Sequence, residues 1–222
     1  MFRRGALGAG RNSREHVFPD WILRHFNIGD HVISPKAWDG DTDLIGERCH
    51  PLSSFRLGGV CSGCNGGWMS RLEQRTKPNL IALSSGARRL EGLSHPEQAI
   101  LSRWAVKTAF VLHAASYPLA KIPRSVHPEL QQRGDLPKGI SVVAMQTPDL
   151  ADDILAVTAI QSDRHVCLDA GRVSKPLGCW KISLRVGMLQ LLISYCPDDR
   201  WAPLAWRGVH QPVWPTRGSP LV

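Results

Sequence analysis

Two short stretches decide the fold and contain most of the chemistry of this chain: SREHVFPDW at residues 13–21 and VCSGCNGGWMSRLE at residues 60–73. The first places a carboxylate, Glu15, directly before a histidine, His16. Histidine can act as a base near neutral pH, and a carboxylate suits a hard cation such as Mg²⁺. Neighbours on a strand point to opposite sides, so both side chains can face one site only where the backbone bends. The dipeptide alone carries little weight, because the chain contains nine histidines.

The second stretch contains Cys61-x-x-Cys64, a spacing that can supply two of the four ligands of a zinc ion. The nearby residues that could complete such a site are Cys49 and His50. Two other interpretations stay open, a redox pair and two cysteines buried as small apolar residues. A thioredoxin-type redox pair belongs to a βαβ unit, which the sequence does not indicate.

The composition is that of a folded protein with a basic surface. The 222 residues include 27 Lys and Arg against 19 Asp and Glu, a formal charge of +8, and 43% are hydrophobic. The positive charge favours a polyanionic partner without selecting one. The chain has no apolar run long enough for a membrane span and no secretory signal, so we expect a cytoplasmic protein with no membrane partner. Six cysteines are too few for a disulfide scaffold, so we expect reduced thiols.

The patterning divides the chain into two predicted domains, residues 1–80 and 81–222. The first has only short apolar runs and many Gly, Asp, His and Cys residues, which is typical of a small loop-rich module. In the second, Ser94 and Glu97 have the spacing of a capping box. Apolar residues then recur at helical spacing, which predicts an amphipathic helix of about five to six turns.

Three β-like runs follow the predicted helix, at residues 140–145, 154–160 and 180–188. In the last run, apolar and polar residues alternate from Trp180 to Met188, the period of a half-buried strand. Cys167, Cys179 and Cys196 have no ligand spacing, and we interpret them as buried small apolar residues. The simplest arrangement is a helix packed on a small antiparallel sheet, which makes the fold class α+β.

Together the two opening stretches form the pattern R-E-H-V-x-P-x-W followed by C-x-x-C-N-x-G-W-M-x-x-L-E. This pattern resembles the HNH endonucleases, the ββα-metal nucleases, and is most similar to their bacterial and phage members that contain a zinc knuckle. The resemblance covers residues 1–80 and gives no expected function for residues 81–222. It implies an N-terminal ββα-metal module that hydrolyses phosphodiester bonds.

The resemblance also implies a role for each matched residue. His16 matches the general base that deprotonates the attacking water, and Glu15 matches the metal ligand that precedes it. Asn65 matches the residue that fixes the hairpin and in some relatives touches the metal. Glu73 lies near the position of a third family residue and is a further candidate ligand. Alternatively, Glu73 is an ordinary helix carboxylate that pairs with Lys77 at i+4.

The sequence departs from the family pattern in three ways that matter. One is Glu15, which stands where Asp or His is common. Gly5 and Gly8 stand where many relatives have an upstream pair of cysteines, so the zinc site lacks half of its usual ligands. His16 and Asn65 are separated by a long insertion for a compact hairpin. A structural Zn²⁺ at Cys61 and Cys64 therefore stays an option.

The expected function is hydrolysis of DNA phosphodiester bonds with Mg²⁺ or another divalent cation, and RNA stays open as a substrate. Arg14, Arg71 and Arg75 are expected to contact flanking phosphates without reading sequence. Two alternatives stay open, a non-catalytic zinc-knuckle protein that binds nucleic acid and a decayed HNH relative. The sequence does not indicate the oligomeric state.

Overall fold

The computed structural model describes residues 12–33, 36–39, 43–47, 49–115, 136–147, 157–162, 165–167, 173–174, 179–198, 201–202 and 211–214. Helices and strands are both present, and each strand pair in these ranges is antiparallel. The predicted α+β class is therefore confirmed. Gly5 and Gly8, where the upstream cysteine pair would stand, lie outside the described residues.

The helices are α1 (Asp20–His25), α2 (Ser62–Cys64), α3 (Ser70–Ser84) and α4 (His95–Ala115). A π-helical turn, Asn65–Met69, joins α2 to α3, and 3-10 turns lie at Leu52–Ser54 and Leu90–Gly92. The first strands are β1 (Asn12–His16), β2 (Val32–Ile33), β3 (Lys36–Asp39), β4 (Asp43–Glu47), β5 (His50–Pro51) and β6 (Arg56–Cys61). The later strands are β7 (Ile140–Gln146), β8 (Val157–Ser162), β9 (His165–Cys167), β10 (Val173–Ser174), β11 (Trp180–Val186), β12 (Leu189–Tyr195), β13 (Trp201–Ala202) and β14 (Gln211–Trp214).

Strands β1 and β6 form a two-stranded antiparallel N-terminal ribbon, although residues 17–55 lie between them. Its register pairs His16 with Arg56. Just beyond that pair, the backbone N–H of Val17 donates to the carbonyl oxygen of Phe55 at 3.0 Å and closes the insertion. The long insertion therefore leaves the two strands paired, and β6 leads directly into the helical segment that ends in α3.

That helical segment changes direction at Gly67, whose backbone angles (φ −96°, ψ −108°) are not helical. After the kink, α3 buries Leu72, Leu80 and Leu83. This apolar stripe packs α3 against the core, while its opposite face stays at the cleft described below.

Helix α4 begins where the capping box predicts. The backbone N–H and the hydroxyl of Ser94 both donate to Glu97 Oε2 at 2.8 Å, and Arg88 Nη1 donates to Glu97 Oε1 at 2.7 Å. The helix is 21 residues long, so the predicted length is confirmed. Within the described part of the chain, no helix combines the length and apolarity needed to cross a membrane.

Five of the strands described after α4 form an antiparallel sheet in the order β14-β7-β12-β11-β8. The alternation on β11 is confirmed, with one buried face made of Trp180, Ile182, Leu184 and Val186. The strand ends before the predicted Met188, because Gly187 has a φ of +56° and starts a two-residue turn. The sequence analysis missed β12, whose nearly continuous apolar run lacks a clear period.

Helix α4 lies between this sheet and the N-terminal ribbon, and it contacts β6 as well as β7, β11, β12 and β14. Phe110 of α4 packs edge-on against Trp180 of the sheet, with 5.7 Å between ring centroids. A single connected core of buried side chains extends from Val17 near the ribbon to Val213 in β14. The helix therefore joins the two parts of the chain that the sequence separates at residue 80.

Cys179 and Cys196 form a disulfide, so the expectation of reduced, unpaired residues at these positions is wrong. Both are buried, as predicted. The pairing follows from the sheet, because Trp180 lies opposite Tyr195 and this register brings the two flanking Cα atoms to 4.4 Å. The side chain of Cys167 lies outside the described residues.

Candidate functional site

The strand β1, the helices α1 and α3 and the turn after β6 surround a cleft of about 490 Å³. Its lining includes four of the predicted site residues: Glu15, His16, Asn65 and Glu73. Arg14 also lines the cleft, whereas Arg71 and Arg75 are exposed on α3 outside its lining. The structure therefore brings the predicted base and the predicted cation ligands to one place, but only one of the three predicted phosphate contacts.

His16 is the last residue of β1 and is half-buried. Burial lowers its pKa, and the positive charge of Arg56 adds to this, while Asp20 and a hydrogen bond to the Ser53 backbone act in the opposite direction. Its Nε2 atom is buried and has no hydrogen-bond partner among the described residues. A neutral ring with its proton on Nδ1 would have Nε2 as its basic nitrogen. A buried polar atom without a partner is costly and points to a position for a water or a ligand.

Glu15 belongs to a buried ion pair that includes a residue from helix α4. The Nζ atom of Lys107 lies 2.8 Å from Glu15 Oε1 and 2.5 Å from Glu73 Oε1. The Lys107 side chain is fully buried, and those of Glu15 and Glu73 are only 8% and 16% exposed. We refer to Glu15 and Glu73 as the carboxylate pair. With both carboxylates ionised, one ammonium against two carboxylates gives this cluster a net negative charge.

The protonation of this cluster follows from its contacts. Burial raises the pKa of Glu15; the neighbouring Glu73 also raises it, while Lys107 lowers it, and the net direction is upward. Burial lowers the pKa of Lys107, but the two carboxylates outweigh that effect and favour the ammonium. Two carboxylates that share a site repel each other unless a proton or a cation lies with them. The carboxylate pair is thus a set of oxygen donors that a hard divalent cation would neutralise.

The cation that pairs with Glu73 is Lys107, and this differs from the i+4 alternative with Lys77 on the same helix. The ammonium of Lys77 lies 5.7 Å from the ring centroid of Trp21 on α1, a cation–π contact. Both of those residues line the cleft. The carboxylate of Glu73 therefore faces the core and Glu15, where it can take part in a cation site.

Asn65 connects the helical segment to the N-terminal ribbon. Its Nδ2 donates to the Ser13 hydroxyl at 3.0 Å, and that hydroxyl donates to the carbonyl oxygen of Val60 at 3.1 Å. The chain of hydrogen bonds crosses from the turn to β1 and on to β6. This geometry matches the predicted role in fixing the hairpin; a role of Asn65 as a metal ligand stays a prediction.

Lys107 is the site residue that the sequence analysis missed. A lysine inside the apolar run from Ala105 to Val111 is an indication of a buried charge, because such a residue stays buried only with a partner. The sequence could not identify that partner, since Glu15 lies 92 residues away and Glu73 lies 34 residues away.

The candidate zinc ligands Cys61 and Cys64 both carry free thiols; Cys61 ends β6 and Cys64 ends α2. The backbone N–H of Cys64 lowers the pKa of Cys61, whereas burial raises the pKa of Cys64. Cys49 is free and exposed, and the side chain of His50 lies outside the described residues. Among the described residues, no three or more His, Cys, Asp or Glu side chains form a group that could hold a metal ion. A four-ligand zinc site at these cysteines stays a prediction.

The donor set of the cleft agrees with one kind of metal. Two carboxylates are few for Ca²⁺ or for a structural zinc, but Mg²⁺ is often bound by one or two carboxylates together with water and substrate phosphates.

No known family, curated protein or solved structure matches this chain.

Proposed function

We propose that this protein is a metal-dependent phosphodiesterase. More particularly, we propose a DNA endonuclease of the HNH kind, with its catalytic centre in the cleft beside the N-terminal ribbon. The observation that carries the proposal is the convergence of His16 and the carboxylate pair on this one cleft. A base and a cation site side by side are what hydrolysis of a phosphodiester requires.

His16 serves as the general base in this proposal. Burial and Arg56 lower its pKa, so the imidazole is neutral at pH 7 and can accept a proton. The partnerless Nε2 atom takes the proton from a water molecule as that water attacks phosphorus. In this proposal the proton of the neutral ring lies on Nδ1, on the opposite side of the ring, and Nε2 is the accepting nitrogen.

The carboxylate pair holds the divalent cation in this proposal. Such a cation, when bound, stabilises the negative charge that develops on the phosphate oxygens and the leaving oxygen. Glu15 and Glu73 supply the protein oxygens, and Asn65 keeps the turn and β1 in register beside them. In this proposal His16 holds the hydrolytic water next to the site where a phosphate group would lie.

The rim of the cleft favours an anionic polymer as the substrate. Arg14, Arg24 and Lys77 line it, and Arg24 also pairs with Asp20. Cations at such a rim contact phosphates on either side of the scissile bond and carry no sequence information. The formal charge of +8 for the whole chain acts in the same direction.

The proposal is tested by incubating the purified protein with supercoiled plasmid DNA and Mg²⁺ or Mn²⁺. The wild type is expected to produce nicked and then linear DNA, and His16→Ala is expected to be at least about 100-fold slower, because a general base contributes that much. The matched control is His25→Ala, which removes an exposed histidine of α1 and should cut as the wild type does. Equal cleavage by His16→Ala and the wild type would exclude His16 as the base.

The same preparation separates the alternatives. Salt-sensitive DNA binding without cleavage by any divalent cation would favour the non-catalytic nucleic-acid-binding module. Absence of both binding and cleavage would favour a decayed relative. Metal analysis of the protein, compared with Cys61→Ser, measures whether the thiols hold zinc. A structural zinc predicts a zinc content that the substitution lowers.

A further inference from the structure

Lys107 is an unusual residue for the floor of a cation site, because it already supplies a positive charge there. Its Nζ contacts one oxygen of each member of the carboxylate pair, at 2.8 and 2.5 Å. It comes from helix α4, whose neighbouring side chains Trp104 and Val111 are fully buried in the core. The lysine is therefore held in place by the packing of the helix and cannot swing out into solvent as a surface lysine would.

The contacts of Lys107 with the carboxylate pair determine the net charge at the site where a divalent cation would bind. When both carboxylates are ionised, the carboxylate pair carries two negative charges, and the ammonium of Lys107 neutralises one of them. A divalent cation also experiences repulsion from the nearby ammonium, and the cleft floor is screened from solvent. Both effects weaken binding of the cation to the protein alone. A phosphate group in the cleft supplies the negative charge that the ammonium has removed.

We propose that Lys107 is a positioning residue that keeps the two carboxylates together in the metal-free protein and lowers their affinity for a divalent cation until a phosphate group is bound. This inference rests on the proposed cation site of the preceding section. It makes helix α4, outside the stretch that resembles the HNH nucleases, a part of the site.

The decisive measurement is Mn²⁺ binding in the absence of nucleic acid, followed by calorimetry, for the wild type and Lys107→Gln. Glutamine keeps N–H donors for the carboxylates but removes the charge. We expect Lys107→Gln to bind Mn²⁺ at least about tenfold more tightly than the wild type, because a like charge next to a divalent cation has been removed. Lys107→Arg, which keeps the charge, should remain within about threefold of the wild type.

Equal or weaker Mn²⁺ binding by Lys107→Gln would overturn the proposal. If the variant does not fold in metal-free buffer, Mn²⁺ is expected to restore its cooperative unfolding transition, since the metal then replaces the ammonium. Failure of Mn²⁺ to do so would overturn the proposal as well.

A second measurement tests the phosphate half of the proposal. A short DNA duplex is expected to tighten Mn²⁺ binding to the wild type more than to Lys107→Gln, and an equal effect on both would contradict it. The titrations measure no cleavage. A wild type that fails to cut plasmid DNA would therefore count against the nuclease function without changing the expected difference in Mn²⁺ affinity.

Discussion

Replacing Lys107 by methionine should cause a large loss of stability in metal-free buffer at pH 7. Methionine fills most of the volume of the lysine stem but leaves the carboxylate pair buried without its cation. Removing one partner of a buried ion pair typically costs about 3–5 kcal/mol, because the remaining charge stays desolvated. Lys107 is 0% exposed and bonds to two carboxylates, so the estimate belongs in this range and not in that of surface pairs.

Urea denaturation followed by fluorescence of the buried tryptophans would measure this loss as a change in the free energy of unfolding. For a chain of this size the same loss lowers the melting temperature by roughly 6–20 °C. EDTA in the buffer ensures that the ammonium is the cation being removed. A second substitution, Glu15→Gln in the Lys107→Met background, should recover part of the loss because one of the two stranded carboxylates is then neutral.

Lys77→Met is the matched control. That lysine is half-buried, and the contact described for its ammonium is with the ring of Trp21. An exposed cation–π contact contributes about 0.5–1 kcal/mol, so this variant should lose little. A loss below about 1 kcal/mol for Lys107→Met, or one equal to that of Lys77→Met, would refute the reasoning, because a buried charge pair cannot be removed so cheaply.

Three further predictions concern the turn between β11 and β12, the cleft and the start of α4. Gly187→Ala should destabilise the protein by at least about 1–2 kcal/mol in urea denaturation, because φ at Gly187 is +56° and a Cβ there would lie 2.5 Å from the Ser84 carbonyl oxygen. Asn65→Ala should lose about 1 kcal/mol in the same assay, the worth of its hydrogen bond to the ribbon. Glu97→Gln should lower the melting temperature at pH 7, and the difference from the wild type should shrink below about pH 4. The reason is that Arg88 and the capping contacts lower the pKa of Glu97 in the folded state, so its stabilisation is complete above the unfolded-state pKa and fades as the pH falls toward the folded-state value.

Two of these predictions, those for Gly187→Ala and Glu97→Gln, have a control in the same chain. Gly66→Ala should be tolerated, because nothing lies within 4 Å of the position that a Cβ would take there and its φ is not positive. Glu91→Gln removes an exposed carboxylate 3.7 Å from Arg89 and should change stability little at any pH. A melting-temperature difference for Glu97→Gln that stays constant down to pH 2 would contradict the stated cause.

Helix α4 and the start of strand β11 could be predicted because short-range periodicity in the sequence specifies each of them. The helix that starts after Ser94 and the strand that starts at Trp180 each have a period that the sequence displays directly. The end of that strand was predicted too late, since the apolar Met188 continues the alternation although it lies in the turn. Strand β12 was missed because an apolar run buried on both faces has no period to read.

The candidate site could likewise be predicted where its residues are neighbours in the sequence, and not where they are far apart. Glu15 and His16 are neighbours in the sequence, so their common location could be proposed before the fold was known. The closure of β1 on β6 across a long insertion, the disulfide between Cys179 and Cys196 and the ion pair of Lys107 join residues far apart in the chain. None of these contacts has a signature in the spacing of the residues that make it.

The amino-acid sequence by itself identified Glu15, His16 and Glu73 as candidate site residues and located α4 and the start of β11, since these depend on residue type and on short-range periodicity. Only the tertiary structure decided that His16 keeps a partnerless Nε2, that Glu73 faces Glu15 and not Lys77, and that a lysine from α4 joins them. The physical reason is that a buried charge is stable only beside its counter-charge. Which residues meet in the interior is set by the packing of helices and sheets around one core.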